Sequence, residues 1–153
     1  QTNNTLWLRL LLANTGTYSL IPARYKKRIK YIMAVPITVV DDSKISRKMV
    51  IRALPPSWKV DITQAENGVE ALDAYRNGKA EIMFLDLTMP VMDGYETLEH
   101  LQKEQLNTFV IVISADIQPE AQERVKKLGA MAFIKKPVKT TDIENVLREF
   151  GII

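Results

Sequence analysis

The 153-residue sequence contains no cysteine and only one histidine, His100. The absence of cysteine excludes a disulfide framework and a thiolate metal site, and it fits a reducing compartment. His100 lies beside Glu99 in a segment with helical spacing, where we expect a solvated surface residue rather than a catalytic base. Long apolar runs are also missing, because the run at residues 6–13 is broken by Arg9 and falls far short of the roughly 20 residues that span a bilayer. We therefore expect no membrane span.

Acidic residues are absent from residues 1–32, which carry six lysines and arginines. The rest of the chain is acidic, since 15 basic and 18 acidic residues remain in 33–153 although the formal net charge is +3. This shift predicts a basic and apolar N-terminal arm or non-native extension at 1–32 and one globular domain at 33–153. An argument for direct nucleic-acid binding would rest on the arm alone, so we expect no nucleic-acid partner for the domain.

From Pro36 onward, short apolar runs alternate with amphipathic segments. The runs are rich in β-branched or aromatic residues, and they occupy residues 37–40, 60–63, 82–85, 110–113 and 132–134. Nearly continuous apolar runs are typical of parallel strands covered on both faces, and the more polar run at 60–63 is typical of an edge strand. Five strands alternating with five helices predict a doubly wound α/β sheet.

The first and last helical segments show the helical pattern differently. Apolar residues Ile45, Met49 and Val50 mark the first segment at helical spacing. In the last segment, Thr141 and Glu144 have the spacing of a capping box, which predicts the start of that helix.

Polar residues follow the predicted strands at one rim of the sheet, where doubly wound folds bind their ligands. They are Asp41, Asp42, Asp86, Ser114, and Lys135 or Lys136. A single aspartate here is ordinarily a helix cap or a solvated loop residue. Two carboxylates about 4 Å apart repel by about 4 kcal/mol at an effective dielectric near 20, so three of them require a cation. Oxygen ligands with open water positions favour Mg²⁺.

These residues resemble the receiver domain of two-component response regulators. Four motifs carry the resemblance in order and approximate spacing: Asp41-Asp42, "DLTMPVMDG" at 86–94, Ser114-Ala115 and Lys136-Pro137. The resemblance covers about residues 36–150. It implies a flavodoxin-like sheet with strand order 2-1-3-4-5. It also implies a cytoplasmic, single-domain switch of the chemotaxis or phosphorelay type.

The resemblance implies a role for each rim residue. Asp86 would accept a phosphoryl group from a phosphohistidine on a sensor histidine kinase or a phosphotransfer protein. Mg²⁺ would be held by Asp41, Asp42, Asp86 and the backbone carbonyl of Thr88, and Lys136 would pair with the phosphoryl oxygens.

Other family features map onto the switch itself. By resemblance, the Ser114 hydroxyl moves to the phosphoryl group and Phe133 turns inward behind it, although plain core packing is the alternative for Phe133. Thr88 and Asp116 would flank the water that hydrolyses the acyl phosphate and so tune its lifetime. The Lys136-Pro137 peptide bond is expected to be cis.

The implied output is a protein contact, made with a downstream target on the face of residues 118–150. Loss of the phosphoryl group by self-dephosphorylation would make the chain a switch and not a turnover enzyme. Three alternatives remain open: a receiver fragment of a longer DNA-binding regulator or hybrid kinase, an unphosphorylated scaffold, and an aspartate-nucleophile phosphatase. The phosphatase would be of the haloacid dehalogenase type, which expects a second aspartate where this sequence has Thr88.

Overall fold

The computed structural model describes residues 20–25, 34–105 and 107–153. The chain divides into two compact units, Gln1–Val35 and Pro36–Ile153. In the first unit, residues 23–25 are helical, whereas the apolar run at 6–13 lies outside the described residues. The separation of an arm at 1–32 therefore stays a prediction. Among the described residues, no helix has both the length and the apolar character needed to cross a bilayer.

From Val35 onward, strands alternate with helices. The strands are β1 (Val35–Val40), β2 (Val60–Ala65), β3 (Ile82–Leu85), β4 (Phe109–Ser114) and β5 (Ala132–Lys135). The helices are α1 (Lys44–Ala53), α2 (Gly68–Arg76), α3 (Gly94–Lys103), α4 (Pro119–Lys127) and α5 (Thr140–Glu149). The sheet has the order β2-β1-β3-β4-β5, and β1, β3, β4 and β5 pair in parallel. The predicted doubly wound fold and its strand order are confirmed.

The sheet is most apolar at its centre. Every residue of β3 is buried, and all of β4 except Phe109 is buried as well. Helices on both faces exclude water from these strands, which explains why their sequences show no polar alternation. In β2, at the edge of the sheet, only Ala65 is fully buried. The polar composition that predicted an edge strand has this cause.

Helix α1 turns a different face to the core than its apolar residues indicate. Val50 and Ala53 are buried, but Ile45 is 72% exposed and Met49 is 43% exposed. Arg47, at three-residue spacing from Val50, is only 6% exposed. The helix can bury this arginine because its guanidinium finds hydrogen-bond acceptors inside the protein.

Helix α5 begins earlier than the capping pattern predicts. Its N-cap is Lys139, whose N–H donates to the Asp142 carboxylate at 3.1 Å. The predicted capping box at Thr141 and Glu144 is therefore wrong, because Asp142 already occupies the third helical position and satisfies the free backbone donor. Ile143 and Leu147 are completely buried and form the face of this helix that packs on the core.

Candidate functional site

The predicted rim residues meet at the carboxyl ends of neighbouring strands. Asp41 follows β1 and Asp86 follows β3, and their exposed fractions are 3% and 7%, whereas Asp42 is exposed. Lys136 follows β5 through a chain that continues with a cis bond to Pro137, as predicted. The Lys136 Nζ donates to Asp41 Oδ2 at 2.8 Å and to Asp86 Oδ1 at 3.3 Å. One ammonium group therefore bridges two buried carboxylates.

Asp41 is held at four points. Its N–H donates to the Ala65 carbonyl at 3.1 Å, and its own carbonyl accepts a hydrogen bond from Arg47 Nη1 at 2.7 Å. Its Oδ1 accepts from the N–H of Ser43 at 2.9 Å, and its Oδ2 accepts from Lys136. A buried carboxylate with this many partners has a defined direction as well as a defined position.

The chain after Asp86 folds back closely on itself. The Asp86 N–H donates to the Val40 carbonyl at 2.9 Å, which fixes the carboxylate at the end of β3. The Gly94 N–H donates to the Leu87 carbonyl at 3.0 Å. A Cβ atom at Gly94 would touch the Asp86 carbonyl and lie 2.8 Å from the Leu87 Cα. The loop therefore needs glycine at this position so that its two ends can meet.

Three carboxylates form an acidic cluster at this rim. One oxygen from each of Asp41, Asp42 and Asp86 lies within 4.8 Å of the other two. Oxygen ligands lie about 2.1 Å from Mg²⁺, so two ligands on opposite sides of the ion are about 4.2 Å apart. Small side-chain adjustments would bring all three oxygens onto one ion. The donor set consists of oxygen alone, which suits a hard divalent cation.

Asp86 and Lys136 both have raised pKa values. Burial, followed by the charge of Asp41, raises the pKa of Asp86 above its ordinary value, although Lys136 acts in the opposite direction. Burial on its own would lower the pKa of Lys136, but the hydrogen bonds and charges of Asp41 and Asp86 outweigh it and raise that pKa. The ammonium group therefore stays charged at neutral pH, while the ionised form of Asp86 is disfavoured.

Ser114 reaches the rim as the last residue of β4 and is buried. Its Oγ accepts from the Asp116 N–H at 3.1 Å, and its carbonyl accepts from the Lys136 N–H at 2.9 Å. Thr88 and Asp116 are exposed, and Phe133 packs half-buried against the core. The roles of Ser114 and Phe133 in switching, and those of Thr88 and Asp116 in hydrolysis, stay predictions.

Arg47 is the site residue that the sequence pattern missed. It is buried one helical turn beyond the acidic pair and donates to the backbone of Asp41. A signal was present, because Arg47, Val50 and Ala53 recur at three-residue spacing and so share one face of α1. Ile45 and Met49, the apolar residues that helped to predict this helix, lie on a neighbouring face that is exposed.

The geometry agrees with comparisons with known proteins. Residues 37–148 match the response regulator receiver domain. The chain belongs to this family. The receiver domain is similar to the chemotaxis protein CheY of Listeria monocytogenes, with 34% identity over 113 residues that span 74% of this chain and 95% of CheY.

Two further comparisons place the receiver domain among longer and ligand-bound relatives. A protein-glutamate methylesterase/protein-glutamine glutaminase of Halalkalibacterium halodurans is 36% identical over 118 residues, which span 73% of this chain and 34% of that enzyme. Among solved structures, a chain of the CheX-CheY-BeF3-Mg complex of Borrelia burgdorferi is similar, with 29% identity and a TM-score of 0.67. That match covers 76% of this chain and 90% of the other. The chain is thus a receiver domain of the two-component or chemotaxis type.

Proposed function

We propose that this receiver domain is a signalling switch in which Asp86 accepts a phosphoryl group from a phosphohistidine. The donor is a sensor histidine kinase or a phosphotransfer protein. The observation that carries the proposal is the Lys136 ammonium, which is hydrogen-bonded to both Asp41 and Asp86 beside a third carboxylate. A carboxylate fixed at a strand end beside such a cation is a suitable nucleophile for phosphoryl transfer.

Each group of the rim has a role in the proposed reaction. An Asp86 oxygen attacks phosphorus as the bond from phosphorus to the histidine nitrogen breaks, and the released imidazole takes up a proton. Lys136 donates hydrogen bonds to the phosphoryl oxygens. Asp41, Asp42 and Asp86, with the Thr88 carbonyl as the predicted backbone ligand, would hold Mg²⁺, which neutralises charge on the transferring group.

The acyl phosphate is then hydrolysed in the same site, so each chain cycles as a switch and does not act as a turnover enzyme. The exposure of Thr88 and Asp116 supports this proposal, because water must reach the phosphorus past positions of this kind. We place the cycle in the cytoplasm, where the receivers that this chain resembles receive their phosphoryl groups.

The downstream partner binds the face formed by α4, β5 and α5, at residues 118–150. Ser114 ends the strand beside β5, and Phe133 lies within β5, so both predicted moving groups adjoin this face. Lys126, Lys127 and Lys139 are exposed on it. We therefore expect a protein partner with an acidic patch, whose binding weakens as salt screens charges over about 8 to 10 Å.

Incubation with acetyl phosphate and Mg²⁺ tests the central step by intact-protein mass spectrometry. The wild-type chain should gain the mass of one phosphoryl group, and Asp86→Asn should gain none. Asp61→Asn removes an exposed carboxylate from β2 and serves as the matched control, which should be labelled like the wild type. Labelling of Asp86→Asn at the wild-type level, or labelling that persists in chelator, would contradict the proposal.

A receiver segment of a longer regulator is the second candidate. The methylesterase relative favours it, because this chain corresponds to 34% of that enzyme's length. The two candidates share the Asp86 chemistry and differ in output, which is an acidic protein partner in the first and a covalently attached domain in the second. The complete reading frame of the gene distinguishes them.

A further inference from the structure

Arg47 joins three parts of the domain from a buried position. Its Nη1 donates to the Asp41 carbonyl at 2.7 Å and its Nε donates to Gln64 Oε1 at 3.0 Å. Its Nη2 lies 3.2 Å from Glu66 Oε1. These acceptors belong to the end of β1 and to the region where β2 ends, so the planar guanidinium spans the space between the two strands.

The hydrogen bond from Arg47 to the Asp41 carbonyl also constrains the next residue, Asp42. A peptide group is planar, so the carbonyl oxygen of Asp41 and the Cα of Asp42 lie in one rigid unit. Fixing that oxygen fixes the direction in which the chain enters Asp42. The Asp42 side chain is exposed, whereas Asp41 is also held through its carboxylate by Ser43 and Lys136. Asp42 thus depends on the peptide group for its placement.

We propose that Arg47 is a positioning residue for the cation site, holding the Asp41-Asp42 peptide so that both carboxylates face Asp86. This inference rests on the proposed function, in which those carboxylates bind Mg²⁺. Arg47 does not touch the cation in this arrangement. It acts through the backbone that carries two of the three acidic ligands.

The direction in which Mg²⁺ affinity changes when Arg47 is removed distinguishes a positioning role from a purely electrostatic one. A positive charge close to a cation site repels the cation, so removing Arg47 would strengthen Mg²⁺ binding if charge alone mattered. Glu66 already offsets part of that charge through the ion pair. Loss of a group that orients metal ligands has the opposite result and typically weakens metal affinity by about 10- to 100-fold. Positioning therefore predicts weaker binding where charge predicts tighter binding.

Isothermal titration calorimetry with MgCl2 measures the Mg²⁺ affinity of the wild type and its variants without any phosphodonor. We expect Arg47→Gln to weaken Mg²⁺ binding by about 10-fold, the lower end for groups that act behind a ligand. Arg47→Lys keeps the charge but cannot reach all three acceptors, so it should also weaken binding. Arg52→Gln removes an exposed arginine from the last turn of the same helix and is the matched control, with unchanged affinity expected.

A milder variant covers the case in which Arg47→Gln fails to fold. Gln64→Ala removes a neutral acceptor of Arg47 from an exposed position without changing the charge, and it should weaken Mg²⁺ binding by about fivefold, the effect of one lost hydrogen bond. Unchanged or tighter Mg²⁺ binding in a folded Arg47→Gln protein or in Gln64→Ala would overturn this inference and leave the proposed function intact. Absence of Mg²⁺ binding in the wild type would instead overturn the proposed cation site, and the inference with it.

Discussion

The two loops on either side of Asp86 are built in different ways. The loop after β1, residues 41–43, contains a buried aspartate that is hydrogen-bonded through its backbone and its carboxylate. The loop after β4, residues 115–118, is exposed at every position. Its internal order comes from Asp116, whose N–H donates to Ser114 Oγ and whose Oδ1 accepts from the Gln118 N–H.

This difference separates two tasks. A cation site requires ligands at fixed distances, and the loop after β1 supplies many contacts that resist movement. A switch requires a segment that can change its conformation at small cost, and exposed loops with few contacts have that property. We interpret the first loop as the fixed side of the site and the second as the side that registers phosphorylation.

The largest expected effect is on the fixed side. Asp41→Asn should weaken Mg²⁺ binding by more than about 100-fold, beyond the range expected for residues that only support a metal ligand. Asp116→Asn, on the opposite loop, keeps an oxygen that can accept from Gln118 and should leave Mg²⁺ affinity unchanged. Calorimetric titration of both variants checks the comparison. Equal losses in the two would show that the loops do not divide the work in this way.

Ser114→Ala addresses the responsive side. The variant should keep its Mg²⁺ affinity and its labelling at Asp86, but it should bind beryllofluoride roughly 10- to 150-fold more weakly. The reason is the loss of one hydrogen bond to a charged group, worth about 1.5 to 3 kcal/mol. NMR shifts in residues 115–133 should then respond less to beryllofluoride. Full wild-type affinity and shifts would exclude the hydroxyl as the relay.

Substitution of Thr88 should change the lifetime of the acyl phosphate on Asp86 and have little effect on the stability of the fold. Exchange for Asn or Lys at this exposed position should change the half-life of the acyl phosphate severalfold, because the side chain flanks the predicted path of water. The free energy of unfolding should stay within about 0.5 kcal/mol of the wild type, as for most surface substitutions. Half-lives that agree within error across the series would remove Thr88 from the path.

The smallest expected effect is on stability in the absence of Mg²⁺. Folding raises the pKa of Asp86. The stability that protonated Asp86 adds to the folded state is therefore fully present below the pKa of Asp86 in the unfolded chain, and it is lost as the pH rises through the pKa of Asp86 in the folded protein. Asp86→Asn should therefore equal the wild type in acid and be more stable at neutral pH, by on the order of 1 kcal/mol. Urea unfolding at several pH values tests this. If Asp86→Asn were less stable than the wild type at neutral pH, the ionised Asp86 carboxylate would not be destabilising as we expect.

The sequence predicted the sheet well because its central strands have only one environment. Residues of β3 contact protein on both faces, so the run Ile82–Leu85 has no polar member and its position is unambiguous. The placement of Asp41, Asp86 and Lys136 then follows from parallel topology, since the carboxyl ends of neighbouring strands share one edge.

The orientation of α1 could not be obtained in the same way. An apolar pattern assumes that polar groups face water, and Arg47 breaks this assumption because its partners are supplied by distant positions. Gln64 and Glu66 lie 17 and 19 residues further along the chain and become neighbours only when β2 pairs with β1. Local periodicity carries no information about such partners. The three-residue spacing of Arg47, Val50 and Ala53 marks a shared helix face, but it does not show that an arginine can be buried on that face.

The single ammonium shared by Asp41 and Asp86 has a consequence for the order of events. Three carboxylates and one lysine leave the site with a net charge of about −2, which repels a phosphoryl donor of the same sign. A divalent cation would bring that total to about zero and would leave the Lys136 ammonium available to the phosphoryl oxygens. We therefore expect productive donor binding to follow cation binding, so that Mg²⁺ is required before Asp86 can be phosphorylated.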